Sequence, residues 1–222
     1  MLRLARIDLD ALIQNLDRLD PPFLDGRADA YGHGLALVAP IALAHGVTSI
    51  VVSDEAAAAR SREWGFREVL SDRSIAVDPQ WGEATYGLRE GFSPLMTLVG
   101  EVIAVRRVNG GEGVSYGYTY RTASETTLAL VGLGYADGVP RLASNRGEAF
   151  IGGHRHPLVG RIAMDQFVLD CHDAEVTVGD EVTVFGDTTR GAPSALEWGA
   201  WTERSAPALT SGIAERVSRE AA

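Results

Sequence analysis

The sequence predicts an α+β fold, in which a partial (β/α) barrel-like segment precedes an antiparallel β domain. Over the first seventy residues, apolar positions with helical spacing alternate with short β-branched runs, which is typical of parallel β/α units. From about residue 93, short strand-like runs are separated by glycine-rich or acidic turns, as in antiparallel sandwiches and small barrels. The predicted limits are 1–75 for the barrel-like segment, 76–92 for a linker and 93–222 for the β domain.

The barrel-like segment contains predicted helices with recognisable ends. Asp8 or Asp10 is placed to cap a helix over residues 9–19. A second apolar stretch covers residues 35–45, with Gly46 as its end. The other elements predicted here are a strand over 48–53, a helix over 54–64 and a weaker strand over 67–71.

The β domain is predicted from runs that are rich in apolar and β-branched residues. Turns such as Asn109–Gly111 and Gly152–Gly153 separate them. The predicted strands are 95–108, 126–133, 150–162, 166–170 and 181–185, and a last helix is predicted near 194–201.

The composition excludes several classes of function. The 222 residues include 20 basic and 30 acidic residues, and every basic residue is an arginine, so side-chain amine chemistry is excluded. A net charge of −10 argues against non-specific binding to nucleic acid or anionic membranes. Cys171, the single cysteine, excludes an intrachain disulfide and is expected to be buried. With neither a signal-like N-terminus nor an apolar run of about 20 residues, we expect a cytoplasmic protein.

Four motifs in order resemble those of the alanine racemase family. They are RADAYGHG (27–34), GVSYGYTY (113–120), GYADGVPR (134–141) and VGRIAMDQ (159–166), and GDEVTVFG (179–186) continues the match. Each motif alone is a modest signal, whereas their common order is a strong one. The resemblance implies an N-terminal (β/α)8 barrel, a C-terminal β domain, pyridoxal phosphate as cofactor, and an isomerase that interconverts L- and D-alanine.

The resemblance also implies roles for individual residues. In the family, a lysine forms the aldimine with the cofactor and acts as one base, while a tyrosine is the second base. Tyr116 matches that tyrosine, Met164 and Asp165 match residues near the substrate carboxylate, and Tyr31 resembles a residue that holds the cofactor phosphate. Arg27 stands in place of the lysine. A guanidinium, with a pKa above about 12, can neither form the aldimine nor act as a neutral base near pH 7.

Length and local sequence depart further from the family. A (β/α)8 barrel alone takes about 250 residues, so the chain has room for only the first two or three barrel strands before TYGL (85–88), which resembles the end of the barrel. The run Pro21–Gly26 contains two prolines, an acid and a glycine, which weaken the strand expected there. Glu215 lies in what resembles an altered form of the family's C-terminal ending.

Plainer interpretations of the same residues are also open. The alternating tyrosines of 116–120 would form an aromatic stripe if that segment were a regular strand. Residues 29–33 would be a turn at the end of a strand. His154 and His156 alternate, but no third ligand is suggested, so no metal site is predicted.

These observations predict an alanine-racemase-like protein, related to D-alanine and cell-wall amino-acid metabolism, that lacks the family's racemase activity. One alternative is a non-catalytic binding or regulatory partner of a full-length racemase, to which Tyr116 would be donated. Another is a residual racemase that holds pyridoxal phosphate non-covalently. Because a reduced barrel exposes sheet edges, we expect a homodimer or a heterodimer with a full-length racemase. No nucleic-acid or membrane partner is predicted.

Overall fold

The computed structural model describes residues 1–71 and 78–222, which form two compact units. The described residues of Met1–Ala5 and Thr97–Ser218 form one, here called the β unit. Those of Arg6–Met96 and Arg219–Ala222 form the other, here called the α/β unit. Helices with parallel strands in one unit and antiparallel strands in the other confirm the predicted α+β fold.

The first elements alternate between strand and helix. In chain order they are β1 (Arg3–Ile7), α1 (Leu9–Leu19), β2 (Leu24–Asp25), α2 (Arg27–Tyr31), α3 (Leu35–Ala44), β3 (Ser49–Val51), α4 (Glu55–Trp64), β4 (Glu68–Leu70) and α5 (Pro79–Thr85). Strands β2, β3 and β4 form a parallel sheet in that order, with Leu24 opposite Ile50 and Ile50 opposite Val69. This is the β/α alternation that the sequence predicts.

Side-chain and glycine caps explain where the helices begin and end. Asp8 accepts a hydrogen bond from the backbone N–H of Ala11 at 2.8 Å, which confirms one of the two predicted caps of α1. Asp54 accepts from the N–H of Ala57 at 2.9 Å and begins α4 in the same way. Helix α4 ends at Gly65, whose φ of 107° lies in the left-handed region that glycine adopts without strain.

The remaining elements form the antiparallel part. They are β5 (Met96–Val108), β6 (Gly113–Val114), β7 (Tyr120–Arg121), β8 (Thr126–Val131), β9 (Glu148–Ile151), β10 (His154–Val159), β11 (Phe167–His172), β12 (Glu181–Phe185), α6 (Ala195–Thr202), α7 (Ala206–Thr210) and β13 (Ser218–Ala221). The long β5 pairs with β12 through its first part and with β8 through its second part. The order β12-β9-β10-β11-β8-β5 therefore closes into a barrel-like sheet, and β1 and then β13 continue it beyond β5.

Barrel closure buries apolar side chains and leaves few polar groups without partners. Phe167 and Cys171 on β11 are each 1% exposed, which confirms the expected burial of the cysteine, and burial raises the pKa of its thiol to about 12. Trp198 on α6 is fully buried, and its indole N–H donates to the carbonyl of Glu148 at 3.1 Å. Because a buried indole needs an acceptor, this bond fixes α6 against β9.

One region differs from the sequence prediction of a linker. Residues 79–85 form α5, and Ala84 and Tyr86 are fully buried. Glycine lowers helix propensity, but Gly82 lies in this helix, where it packs closely against Tyr31 and Asp25. Residues 76 and 77 of the predicted linker lie outside the described residues. The limits 1–75, 76–92 and 93–222 stay a prediction.

Candidate functional site

Arg27 forms a two-point ion pair with Asp25. Its Nε donates to Oδ1 and its Nη2 donates to Oδ2 of Asp25, both at 2.8 Å. The Asp25 side chain is fully buried, whereas that of Arg27 is 25% exposed. Paired charge-assisted bonds of this kind are among the strongest polar contacts in proteins. The hydrogen bond to Asp25 raises the pKa of Arg27 further, so the cation is held in place and fully charged.

Tyr31 completes this cluster. Its hydroxyl donates to Oδ2 of Asp25 at 2.9 Å, and its ring lies 5.2 Å from that of Tyr86. Burial, followed by the negative charge of Asp25, raises the pKa of Tyr31 well above its usual value. Tyr31 is therefore a neutral donor whose proton is already shared with the carboxylate. The Tyr86 hydroxyl donates to the backbone carbonyl of Asp25 at 2.6 Å.

A left-handed turn brings Tyr31 back over Asp25. In α2, residues Ala28–Tyr31 have φ values between 51° and 56°, although a left-handed conformation costs roughly 1–2 kcal/mol for each non-glycine residue. Asp29 offsets part of this cost, since its Oδ1 accepts from the backbone N–H of Leu35 at 2.8 Å and begins α3. The segment is thus a turn at the end of β2, as one interpretation of the sequence predicted.

Helix α5 closes over the cluster. A Cβ atom on Gly82 would lie 2.6 Å from the hydroxyl oxygen of Tyr31 and 3.3 Å from Oδ2 of Asp25. A side chain at position 82 would force the Tyr31 hydroxyl or α5 to move. The backbone of α5 therefore lies close to both the hydroxyl and the carboxylate.

His33 lies beside this cluster and is fully buried. Its Nδ1 is 2.8 Å from the carbonyl oxygen of Ala30, which can only accept, so Nδ1 carries the proton. The ring stacks on Tyr86 with centroids 4.9 Å apart. The Nε2 atom has no partner among the described residues. Burial lowers the pKa of His33 to about 4, and the charge of Arg219 acts in the same direction.

The burial of neutral His33 predicts an acid-sensitive stability. In the unfolded chain His33 takes up a proton below its ordinary pKa of 6.5. In the folded chain it remains neutral down to about pH 4. The free energy of unfolding should therefore fall by about 3 kcal/mol between these values and then level off. Chemical unfolding of wild type and His33→Leu across this pH range measures the contribution of His33 to the free energy of unfolding. The variant should lack this pH-dependent loss. The exposed His154 provides a control, His154→Gln, and equal pH profiles for wild type and His33→Leu would refute the assignment.

Tyr116 occupies an exposed turn of the β unit. The segment Tyr116–Tyr118 is a short 3-10 turn, and Ser115, Gly117 and Tyr118 have positive φ values of 61°, 75° and 47°. The side chains of Tyr116 and Tyr118 are 70% and 64% exposed. Tyr120 points elsewhere, since its hydroxyl donates to Asp170 at 2.8 Å. The predicted aromatic stripe is therefore wrong, because the backbone turns where a regular strand would continue.

Two loops of the β unit join through their backbones beside Met164. The N–H groups of Tyr135 and Ala136 donate to the carbonyls of Ala163 and Met164, both at 3.0 Å. A Cβ on Gly134 would lie only 2.3 Å from the Met164 oxygen, so this contact requires glycine. The loops of the GYADGVPR and VGRIAMDQ motifs thus form one surface, on which Met164 is 53% exposed.

Asp165 belongs to a charged network with Asp137, Arg3 and Arg216. Arg216 donates from Nε to Asp137 at 2.7 Å and from Nη2 to Asp165 at 2.6 Å. Arg3 lies 3.2 Å from the Asp137 carboxylate and 3.6 Å from that of Asp165. These bonds raise the pKa of Arg216, and the hydrogen bond to Asp137 has the largest effect. The Asp137 side chain is fully buried and also accepts from the N–H of Gly134 at 2.8 Å.

A cavity of about 410 Å³ opens beside Tyr116. The Ser115 hydroxyl donates to the carbonyl of Arg161 at 2.6 Å across its edge. Its lining residues are Ser115, Tyr116, Tyr118, Leu130, Arg161, Ala163, Gln166, Phe167 and Val168.

The predicted site residues therefore fall into two groups. Arg27 and Tyr31 meet in the α/β unit, whereas Tyr116, Met164 and Asp165 belong to the β unit. Sequence reasoning missed the partners Asp25, Asp137 and Arg216. The signal for Asp25 in the sequence is an acidic residue within a run where an apolar strand is expected.

The described parts of the chain, 1–71 and 78–222, contain no group of three or more His, Cys, Asp or Glu side chains arranged to hold a metal ion. They also contain no helix that is both long and apolar enough to span a membrane.

The antiparallel sheet and the contact between the loops of the GYADGVPR and VGRIAMDQ motifs define the class of protein, one with an antiparallel β domain like that of racemases. The family model for the alanine racemase C-terminal domain matches residues 95–221, and the chain therefore belongs to the alanine racemase family.

Curated relatives agree with this membership. The chain is 44% identical over 145 residues to an alanine racemase of Thermobifida fusca, a match that covers 62% of this chain and 39% of that protein. It is 43% identical over 189 residues to the alanine racemase of Mycolicibacterium vanbaalenii, covering 82% of this chain and 46% of the relative. The chain thus spans less than half the length of these relatives.

Solved structures show the same fold. The alanine racemase from Streptomyces coelicolor superposes with a TM-score of 0.84 at 24% identity, covering 99% of this chain and 98% of that one. Alanine racemase from Bartonella henselae, solved with covalently bound pyridoxal phosphate, superposes with a TM-score of 0.85 at 16% identity and covers 100% of both chains.

Proposed function

We propose that this chain is an alanine racemase scaffold, related to D-alanine metabolism, that does not carry out the pyridoxal-phosphate racemase reaction. The observation that supports the proposal is the Arg27–Asp25 ion pair, because Arg27 is the residue of the RADAYGHG motif that, by resemblance, corresponds to the family's lysine. The chain contains no lysine that could replace it. Without a side-chain amine, the cofactor has no covalent attachment point and the reaction lacks one of its two bases.

The described residues also do not fit the cofactor. Tyr31, which resembles the phosphate-contacting residue, already donates its proton to Asp25. Backbone at Gly82 lies close to both groups, at the distance where a Cβ would collide with the hydroxyl. The Tyr31 hydroxyl and the Nε and Nη2 atoms of Arg27 are thus already engaged by Asp25.

The coverage of the relatives supports a shortened barrel. Sequence matches span 39% of a relative, whereas structural superposition extends over 98% of a solved racemase chain. Both values are compatible if an interior segment of the relatives has no counterpart here. We therefore propose that residues 1–75 are a remnant of the family's barrel and 93–222 its C-terminal domain.

Cofactor titration tests the main proposal. We expect pyridoxal phosphate to give no protein-dependent change in its absorption spectrum, with or without L-alanine, and we expect no D-alanine to form. A full-length racemase treated identically is the positive control. A saturable spectral change with alanine, accompanied by D-alanine, would instead establish a residual racemase with non-covalently held cofactor.

A second candidate is a non-catalytic partner that pairs with a full-length racemase. It is favoured by the exposure of Tyr116, Tyr118 and Met164, all of which belong to the β unit. If Tyr116 is donated to a partner's site, wild type should change the activity of the full-length enzyme and Tyr116→Phe should not. Tyr118→Phe is the matched control, because Tyr118 is exposed to a similar degree. Unchanged activity in all mixtures would eliminate this role.

A further inference from the structure

We propose that Asp25 is a second residue, besides Arg27, that removes amine chemistry from this site: its buried carboxylate would hold even a lysine at position 27 as a charged, hydrogen-bonded ammonium. The inference rests on the proposed function in one respect, the assignment of position 27 to the family's lysine. Asp25 is thus a positioning residue that acts through its neighbour. Restoring lysine alone would not restore a reactive amine.

The geometry of the ion pair supports this step. The Nζ atom of a lysine is as many bonds from Cα as the Cζ atom of arginine, which lies between Nε and Nη2. Both of these nitrogens are 2.8 Å from Asp25 oxygens. A lysine in the same extended conformation would therefore place its nitrogen within ion-pair distance of a carboxylate that has no access to solvent. An opposite charge within about 4–6 Å favours the charged form by roughly 1–3 pKa units.

The other titratable groups at the cluster do not reverse this effect. Tyr31 on α2 is neutral, because burial and Asp25 raise its pKa. Glu83 on α5 acts on Tyr31 with a negative charge, which likewise favours a cation nearby. Burial disfavours a positive charge at position 27, but the Arg27 side chain is still 25% exposed to solvent. Among the described residues, the carboxylate of Asp25 is the dominant contact.

The lysine-free chain makes the inference directly measurable. In Arg27→Lys the new lysine is the only one, so its ε-amine gives a single signal with ¹⁵N-lysine labelling. Its pKa can be read from an NMR titration without cofactor. A neutral amine attacks the aldehyde carbon of pyridoxal phosphate through its lone pair, and the carbonyl oxygen leaves as water. An ammonium has no lone pair to donate, so the rate of this reaction reports the same property.

We expect the amine of Arg27→Lys to titrate above the ordinary lysine value of about 10.4. In Asp25→Asn/Arg27→Lys its pKa should be lower by about one unit or more, a tenfold or greater rise in neutral amine at a fixed pH. Trapping with pyridoxal phosphate and borohydride should show the same tenfold difference. Wild type, whose only amine is the N-terminus, is the blank, and Arg60→Lys, on the exposed side of α4, is the control for a solvated lysine.

Two results would overturn the inference: equal amine pKa values in the single and double variants, or a value in Arg27→Lys at or below that of Arg60→Lys. If Arg27→Lys does not fold, the rate of hydrogen exchange of the Arg27 Nε–H in wild type is measured instead of the amine pKa. That exchange should be at least tenfold slower than in Asp25→Asn, and equal rates would overturn the inference. Binding of pyridoxal phosphate by wild type would refute the proposed function alone, because the amine titration involves no cofactor.

Discussion

Arg27→Met should lower the free energy of unfolding of the α/β unit by about 3–5 kcal/mol, because it leaves the fully buried Asp25 carboxylate without its cation. Tyr31 would still donate one hydrogen bond, but a neutral donor does not balance a buried charge. Chemical unfolding followed by circular dichroism measures the loss, and hydrogen exchange with mass spectrometry locates it. Peptides of the α/β unit should lose protection.

Two further variants separate this ion pair from general effects. Arg60→Met removes an exposed arginine of the same unit and should change stability by less than about 0.5 kcal/mol. Asp25→Leu/Arg27→Met removes both charges and should recover a large part of the loss, since apolar replacement of a buried pair is often nearly neutral. A loss below about 1 kcal/mol in Arg27→Met would show that the ion pair with Asp25 contributes little to the stability of the α/β unit.

Asp137→Ala should destabilise the β unit by about 3–5 kcal/mol. The change removes the carboxylate that pairs with Arg216 and Arg3. It also leaves the buried N–H of Gly134 without its acceptor, which alone costs about 1–3 kcal/mol. The loop that supports Met164 should loosen as a result. Chemical unfolding measures the free energy, and hydrogen exchange with mass spectrometry should locate the loss in peptides of the β unit.

Asp165→Ala is the matched control for Asp137→Ala. Both carboxylates bind Arg216, but the Asp165 side chain is 49% exposed and that of Asp137 is fully buried. Exposed ion pairs contribute about 0–1 kcal/mol, so Asp165→Ala should have a small effect. Similar losses in the two variants would mean that burial does not set the strength of this network.

Periodic and well-capped segments were predictable from sequence. Helices α1 and α4 have caps that can be read directly, at Asp8, Asp54 and Gly65. Strand β12 lies at its predicted residues, 181–185. In each case local hydrogen bonds or side-chain alternation fix the element, and both are visible in a short window of sequence.

Elements that depend on distant contacts were not predicted. Strands β1 and β13 and helix α5 have weak local signals and owe their conformation to tertiary partners. The three tyrosines of 116–120 alternate as in a strand, but Ser115, Gly117 and Tyr118 have positive φ values and the chain turns. Tertiary packing therefore overrode a local pattern here.

The sequence alone determined which chemistry is missing and which family the motifs indicate. Those conclusions depend only on residue identity, since no lysine occurs in the chain and the motifs are read from the residues themselves. The tertiary structure decided what the remaining residues do instead. Asp25 neutralises Arg27 because a left-handed turn and α5 enclose both with Tyr31. Asp137 binds Arg216, 79 residues away, because the segment after α7 packs against the turn at Asp137, where the N–H of Ala214 donates to the Asp137 carbonyl. Such pairings depend on burial and distance, which residue order does not specify.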